Sequence, residues 1–243
     1  MPFTISHPAV ILPLNYLPKR FISLTALVVG SLTPDFEYFI RMKVQSDYSH
    51  TLPGLFWFDL PLGILLMLIY KFVVKDKLIN NLPLFLKKRF SFFKDGLTPT
   101  PKYYFPVVIV SLIIGAASHL LWDSFTHPTG YFVEIIPGLK QLVYLLQHKF
   151  FLYNIIQHLS SLIGGCIIII TIVNLPKLKG TRSKQITTYW IKAIITMLVV
   201  TGLRFCTGLN LHRTGDLIVT IISGALLGLM MAAVFTKSDK HLA

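Results

Sequence analysis

The sequence predicts an all-α, polytopic membrane helix bundle, and three observations carry that prediction. Hydrophobic residues make up 53% of the 243 and charged residues only 14%, with a mean hydropathy of +0.66, too little polar surface to cover a soluble domain. A hydrocarbon core about 30 Å thick needs roughly 20 mostly apolar residues per helix. Stretches near 55–74, 105–122, 190–209 and 216–236 meet that length, and a fifth, 159–175, is slightly short but uncharged. The basic residues gather between these stretches, as the loops of a membrane protein require.

Taken in order, residues 1–54 hold no span. The run from Phe21 to Leu32 is too short to cross, and Pro13, Pro18 and Pro34 interrupt it, so short helices lying on the surface or re-entering it are expected. The spans at 55–74, 105–122 and 159–175 follow. Between the second and third, Pro128, Gly130, Pro137 and Gly138 mark turns ahead of an amphipathic stretch rich in Leu and Tyr. The last two spans form a hairpin within 176–243. The chain reads as a single membrane domain of residues 1–243, with 55–175 holding the core of any site. No removable signal peptide is expected, because Met1-Pro2-Phe3-Thr4 has no basic n-region. Cys166 and Cys206 both fall in apolar segments, which predicts buried, inert thiols and neither a disulfide framework nor a thiolate zinc site.

A net charge of +13 raises the possibility of nucleic acid, but the cations form no face interleaved with stacking aromatics. Lys71, Lys75, Lys77, Lys87, Lys88, Arg89, Lys94 and Lys102 fill the first inter-span connection. Lys177, Lys179, Arg182, Lys184 and Lys192 fill another, and Lys237 and Lys240 sit in the tail. The positive-inside rule makes these regions cytoplasmic, in a multi-pass protein of the cell membrane. Lys19, Arg20, Arg41 and Lys43 then lie outside, against the rule.

That orientation puts a set of ligand-type residues on the outer, periplasmic side. His119 and Asp123, four apart, share one face of a helix and can hold one ion through an imidazole nitrogen and a carboxylate oxygen. His50 precedes the first span, His158 opens the third, and His7 and Asp35 belong to the outer N-terminal segment. Asp35 follows the turn-like Gly30-Ser31-Leu32-Thr33-Pro34 and is either a ligand or the base that orients an attacking water. His127, held extended before Pro128, is a second ligand or a contact for a substrate phosphate. Blander roles compete. His148, His212 and His241 read as interfacial side chains, His158 equally as a helix cap, and Asp59 as a structural group inside the first span.

Four segments, Phe3-Thr4-Ile5-Ser6-His7-Pro8, Gly30 to Asp35, Ser49-His50-Thr51-Leu52-Pro53-Gly54 and Ser118 to His127, together resemble a family of bacterial membrane proteins known as domain of unknown function 4184. The resemblance spans nearly the whole chain. More distantly, the chain is similar to membrane-bound metal-dependent hydrolases of the YdjM type. The order His, Asp, His, then His-x-x-x-Asp also resembles that of zinc-dependent phospholipase C and P1-type nucleases. That likeness implies that His50, His119 and Asp123 hold one ion, that His7 and Asp123 share a second, and that Asp35 is base or ligand. Those enzymes also use a free N-terminal amine and a later His-x-x-x-Glu or Asp pair. Here the chain starts several residues earlier and Leu162 follows His158, so one or two ions, zinc foremost, are expected and not three.

The expected activity is metal-dependent hydrolysis of phosphoester or other lipid-borne bonds, with membrane lipids as partners and no nucleic acid. Two non-catalytic alternatives stand beside it: a structural metal, or metal transport. Transport is disfavoured, since the spans carry almost no ionisable groups apart from Asp59 and Arg204.

Overall fold

Where the apolar runs lie, long helices form. The computed structural model describes residues 4–18, 20–95, 104–145, 147–209 and 213–237. Lys19, Lys102, His212, Lys240 and His241 fall outside the described residues. We label the principal helices α1 (Leu24–Leu32), α2 (Phe36–Arg41), α3 (Leu52–Asn80), α4 (Leu84–Phe90), α5 (Tyr104–Thr126), α6 (Leu152–Asn174), α7 (Ile186–Cys206) and α8 (Thr214–Phe235). Among the described residues, five helices are long and apolar enough to cross a membrane: α3, α5 with its continuation to Ile135, α6, α7 and α8. The chain is a multi-pass membrane protein of all-α class.

The helices overrun the apolar runs. Thr51 caps α3 by accepting from the Gly54 N–H at 2.9 Å, and the helix continues through Lys71, Lys75, Asp76 and Lys77 to Asn80. Long basic side chains are good helix formers whose stems lie along apolar surface, so charge marks the end of the hydrocarbon stretch and not of the helix. Two π-helical segments, Leu55–Asp59 and Tyr70–Val74, interrupt α3, the first just ahead of Pro61, which supplies no N–H to the ladder. Helix α6 begins at Leu152, ahead of its apolar run, and His158 lies inside it rather than at its start.

The chain divides into two compact units. The first comprises Met1–Asp35, Tyr48–Ile64 and Thr98–Val173. Its organising contact is α1 against α5, made close by glycine. A Cβ on Gly30 would stand 2.3 Å from the Leu112 carbonyl oxygen, and one on Gly115 would stand 2.4 Å from that of Leu27. Only hydrogen fits at either place, which is how small residues let two helix backbones meet in the absence of a hydrophobic drive between them. The Ser111 hydroxyl accepts from the Ser23 N–H at 2.9 Å, pinning the start of α1 to α5. Ile11, Ile22 and Leu27 form a small core beneath these elements. The N-terminal segment buries one side within the unit, through Ala9, Ile11, Ala26 and Leu27, and leaves Val10, Tyr16 and Phe21 exposed on the other.

Between α5 and α6 the chain forms a short helix, Tyr131–Ile135, and an antiparallel hairpin of β1 (Leu142–Leu145) and β2 (His148–Phe151), where the sequence showed only an amphipathic stretch.

The second unit comprises Phe36–Asp47, Leu65–Leu97 and Asn174–Ala243. Here α7 and α8 pack antiparallel through Gly224 and Gly228, whose Cβ positions would meet the Met197 and Ala193 carbonyls at 3.0 and 2.4 Å. At the C-terminal end of α8, Lys192 donates to the Phe235 carbonyl at 2.6 Å and Lys77 to that of Thr236 at 2.8 Å, meeting carbonyls that have no helical partner. Asp216, in the first turn of α8, accepts from the Val44 N–H at 2.8 Å. Cys166 and Cys206 are free thiols but exposed, not buried. Their helices turn apolar side chains outward, as with Leu162, Ile169, Leu198 and Leu203, because lipid and not protein is the solvent for those faces.

Candidate metal centre

The site grows from the contact of α1 with α5. One turn beyond Gly115, His119 donates its Nδ1 hydrogen to the Ser31 carbonyl at 2.7 Å. In the neutral ring such a bond fixes the tautomer and leaves Nε2 as a lone-pair donor aimed into the cluster. One further turn along, Asp123 brings Oδ2 to 3.3 Å from that Nε2. The four-residue spacing thus does what a helix face dictates.

His7 sits at the junction of the Thr4–Ser6 turn and Pro8–Ile11, held there by the Ser6 hydroxyl donating to the Ser161 carbonyl at 2.8 Å. Its ring stacks on His119 at 3.7 Å, with the edge of Trp122 alongside, and its Nε2 lies 3.6 Å from Asp123 Oδ1. Asp35 ends the Thr33–Asp35 turn that continues α1; one oxygen accepts from the Thr4 hydroxyl at 2.5 Å. The other, Oδ1, lies 3.6 Å from the Nε2 atoms of both His50 and His119. His50 comes from the loop before α3, its Nδ1 paired with the Ser49 hydroxyl at 2.9 Å and its Nε2 3.6 Å from Asp123 Oδ2. His127, one turn past Asp123, places Nδ1 3.5 Å from Asp123 Oδ1.

Six of the seven expected residues therefore converge: His7, Asp35, His50, His119, Asp123 and His127. Two sets of ligand atoms lie within 4.8 Å of one another, His7 with His119 and Asp123, and Asp35 with His50 and His119. The seventh, His158, is exposed on α6 and belongs to neither set. His148 is exposed on β2, and Asp59 is buried in α3 outside both sets.

The donor set fits a divalent ion. His7, Asp35, His119 and Asp123 are nearly inaccessible to solvent, and both ring nitrogens of His7, the Nε2 of His119 and both oxygens of Asp123 have no hydrogen-bond partner among the described residues. Buried polar atoms left so are costly, and facing pairs at 3.3–3.6 Å are too long for good hydrogen bonds. Ligands about 2.1 Å from a tetrahedral ion stand roughly 3.4 Å from one another, which is the spacing seen. Imidazole nitrogens with carboxylate oxygens and no thiolate suit zinc or a similar borderline metal.

The charges respond to the same crowding. Burial, reinforced by neighbouring His119, pushes the pKa of His7 down to about 3, so its ring is neutral and keeps a lone pair that an ion could use. Burial also opposes charge on His50, but the carboxylates of Asp123 and Asp35 overcome it and raise its pKa to about 9. For Asp35, burial favours the neutral acid, yet His119 and His50 hold it below the usual carboxylate range.

Sequence reasoning missed the groups that aim the clustered His and Asp side chains. Thr4 orients Asp35 across 31 residues of chain, Ser31 contributes only a carbonyl, and Ser49 precedes His50. Only the adjacency of Ser49 to His50 was a visible signal; a backbone carbonyl carries none.

Fold and site together define a polytopic helical membrane protein with a buried His/Asp cluster suited to metal binding. The chain belongs to the family described as Domain of unknown function (DUF4184), which matches residues 1–234. No curated protein matches the chain, and no solved structure does.

Proposed function

We propose that this protein is a membrane-bound, metal-dependent hydrolase of phosphoester bonds in lipid or amphipathic substrates, its centre facing the outside of the cell membrane. The observation that carries the proposal is the uneven burial of the six-residue cluster. His7, Asp35, His119 and Asp123 are sealed, while the side chains of His50 and His127 are 20% and 25% exposed. A structural ion is closed on all sides by protein, whereas a catalytic one keeps a position for water. The partly open edge supports the catalytic reading over the structural one. Resemblance to YdjM-type hydrolases and to zinc-dependent phospholipase C points the same way.

His7, His50, His119 and Asp123 would hold one or two zinc ions, with the two oxygens of Asp123 directed to different imidazoles: Oδ2 to His50 and His119, Oδ1 to His7 and His127. A bound divalent ion supplies Lewis acidity and a nucleophilic water at neutral pH. Asp35, kept as a carboxylate and fixed through Thr4, either completes the ligand set or accepts the hydrogen bond that aligns the water. His127, at the open edge, would meet a phosphate oxygen of the substrate.

The test is hydrolysis of phosphodiester and phosphomonoester lipids, and chromogenic surrogates, by detergent-solubilised, zinc-replete protein. Chelator-sensitive turnover is expected, with Asp35→Asn lowering turnover more than metal content. Stoichiometric metal with no chelator-sensitive activity across such a panel would reassign the centre as structural.

A further inference from the structure

We infer that the β1–β2 hairpin, with the short helix Tyr131–Ile135 before it, is a leaflet-inserting element whose partner is the headgroup and upper acyl region of the bilayer around α5 and α6. The inference does not depend on the hydrolase reading.

The hairpin is apolar on both faces. In its register Leu142 stands opposite Phe151 and Val143 opposite Phe150, adjacent pairs that point to opposite sides of the ribbon. Leu142, Phe150 and Phe151 are exposed at 51%, 39% and 40%, and Tyr144 at 69%. Protein among the described residues of the first unit therefore leaves apolar surface open on both faces. In water, a two-stranded ribbon of this composition would be marginal in stability and prone to edge pairing.

Its tethers identify what covers it. The ribbon is entered from the α5 end that carries Asp123 and His127, and its second strand runs without a break into Leu152, the first residue of α6. Both helices are candidate membrane spans, so a segment this short is held at the bilayer surface. Four-residue strands reach about 13 Å, of the same order as the roughly 5–10 Å depth at which interfacial elements settle. The side-chain types also belong there. Exposed Tyr131 and Tyr144 carry an apolar ring and a polar tip, and Lys149 lies 5.4 Å from the Tyr144 ring, an ammonium that can reach back to headgroups while its stem stays with the ring.

The experiment uses full-length protein with Cys166 and Cys206 replaced by serine, reconstituted in phosphatidylcholine and phosphatidylglycerol nanodiscs. An environment-sensitive fluorophore is attached at Tyr144→Cys or, on the opposite face, Phe150→Cys. Because both positions are exposed, neither change removes a core contact. Arg182→Cys, exposed on the 175–185 connection, serves as the comparison site. Lipids spin-labelled high on the acyl chain should quench both hairpin labels several-fold more than the Arg182 label, while aqueous iodide quenches them less. Iodide quenching equal to that at Arg182, with no response to the spin-labelled lipid, would show a solvated hairpin and overturn the inference. So would a shielded label that ignores the lipid quencher but crosslinks to a second copy of the chain. Quenching by lipid at only one of the two labelled positions would also overturn insertion of the whole ribbon.

Discussion

His50 and Thr4 carry the sharpest consequences for single side chains. With its pKa raised to about 9, His50 of the ion-free protein is a cation at neutral pH, and an ion can use its Nε2 only after expelling that proton. The sign follows: apparent zinc affinity should rise with pH between 6.5 and 8.5, approaching tenfold per pH unit for the one proton. His50→Ala should bind more weakly and lose that part of the slope; an unchanged slope would place the proton elsewhere. In the ion-free fold the raised pKa stabilises fully below the unfolded value of about 6.5 and loses its contribution as pH climbs through 9. Thr4→Val keeps the shape but removes the donor to Asp35, and should lower zinc affinity roughly 10- to 100-fold, as loss of a ligand-orienting bond does. Zinc content of purified protein should fall in His119→Ala and Asp123→Ala and persist in His148→Ala and His158→Ala, which lie off the cluster. Full occupancy in both ligand variants would remove the centre proposed here.

Helix packing, not ligand chemistry alone, sets the geometry of the cluster. Gly30 and Gly115 let α1 approach α5 until the Ser31 carbonyl reaches His119 Nδ1. A methyl group at Gly115 must push the backbones apart, because the atoms it would strike, the Leu27 carbonyl and the Ser31 amide nitrogen, cannot rotate away. Gly115→Ala should therefore cost about 1–3 kcal/mol in stability, as overpacking does. Its effect on metal should be out of proportion for a residue that is not a ligand. Thermal unfolding in detergent, followed with and without excess zinc, checks both: a variant that melts normally and retains zinc would show that the interface tolerates the added carbon. At Gly138, where a Cβ meets nothing within 4 Å, alanine should change neither quantity.

For the whole protein, the arrangement of charge along the chain predicts sidedness. Single cysteines at Pro83 and Arg182, in the lysine-rich connections, should be shielded from an impermeant thiol reagent in intact cells, and ones at Thr129 and Arg213 should react, with Cys166 and Cys206 replaced first. Labelling in the opposite sense would turn the metal centre to the cytoplasm and with it the leaflet whose lipids it could reach.

Residue order alone determined the all-α membrane class, the five spans and the identity of six clustering side chains. These follow from composition, from apolar run length and from the i, i+4 geometry of His119 and Asp123, all local or additive properties. Helix ends were less legible, because Lys71 to Lys77 end the hydrocarbon stretch without ending the helix. His158 looked like a ligand by type and neighbourhood, yet the start of α6 at Leu152 sets it on an exposed face, and which face a helix buries depends on what packs against it. Only the tertiary structure decided that α1, too short to span, packs closely against α5, that Thr4 and a Ser31 carbonyl aim Asp35 and His119, and that a hairpin follows α5. The helix contact rests on groups far apart in sequence meeting at a distance that glycine, and nothing larger, permits, and the aim of His119 rests on a backbone atom that every residue has and no sequence distinguishes.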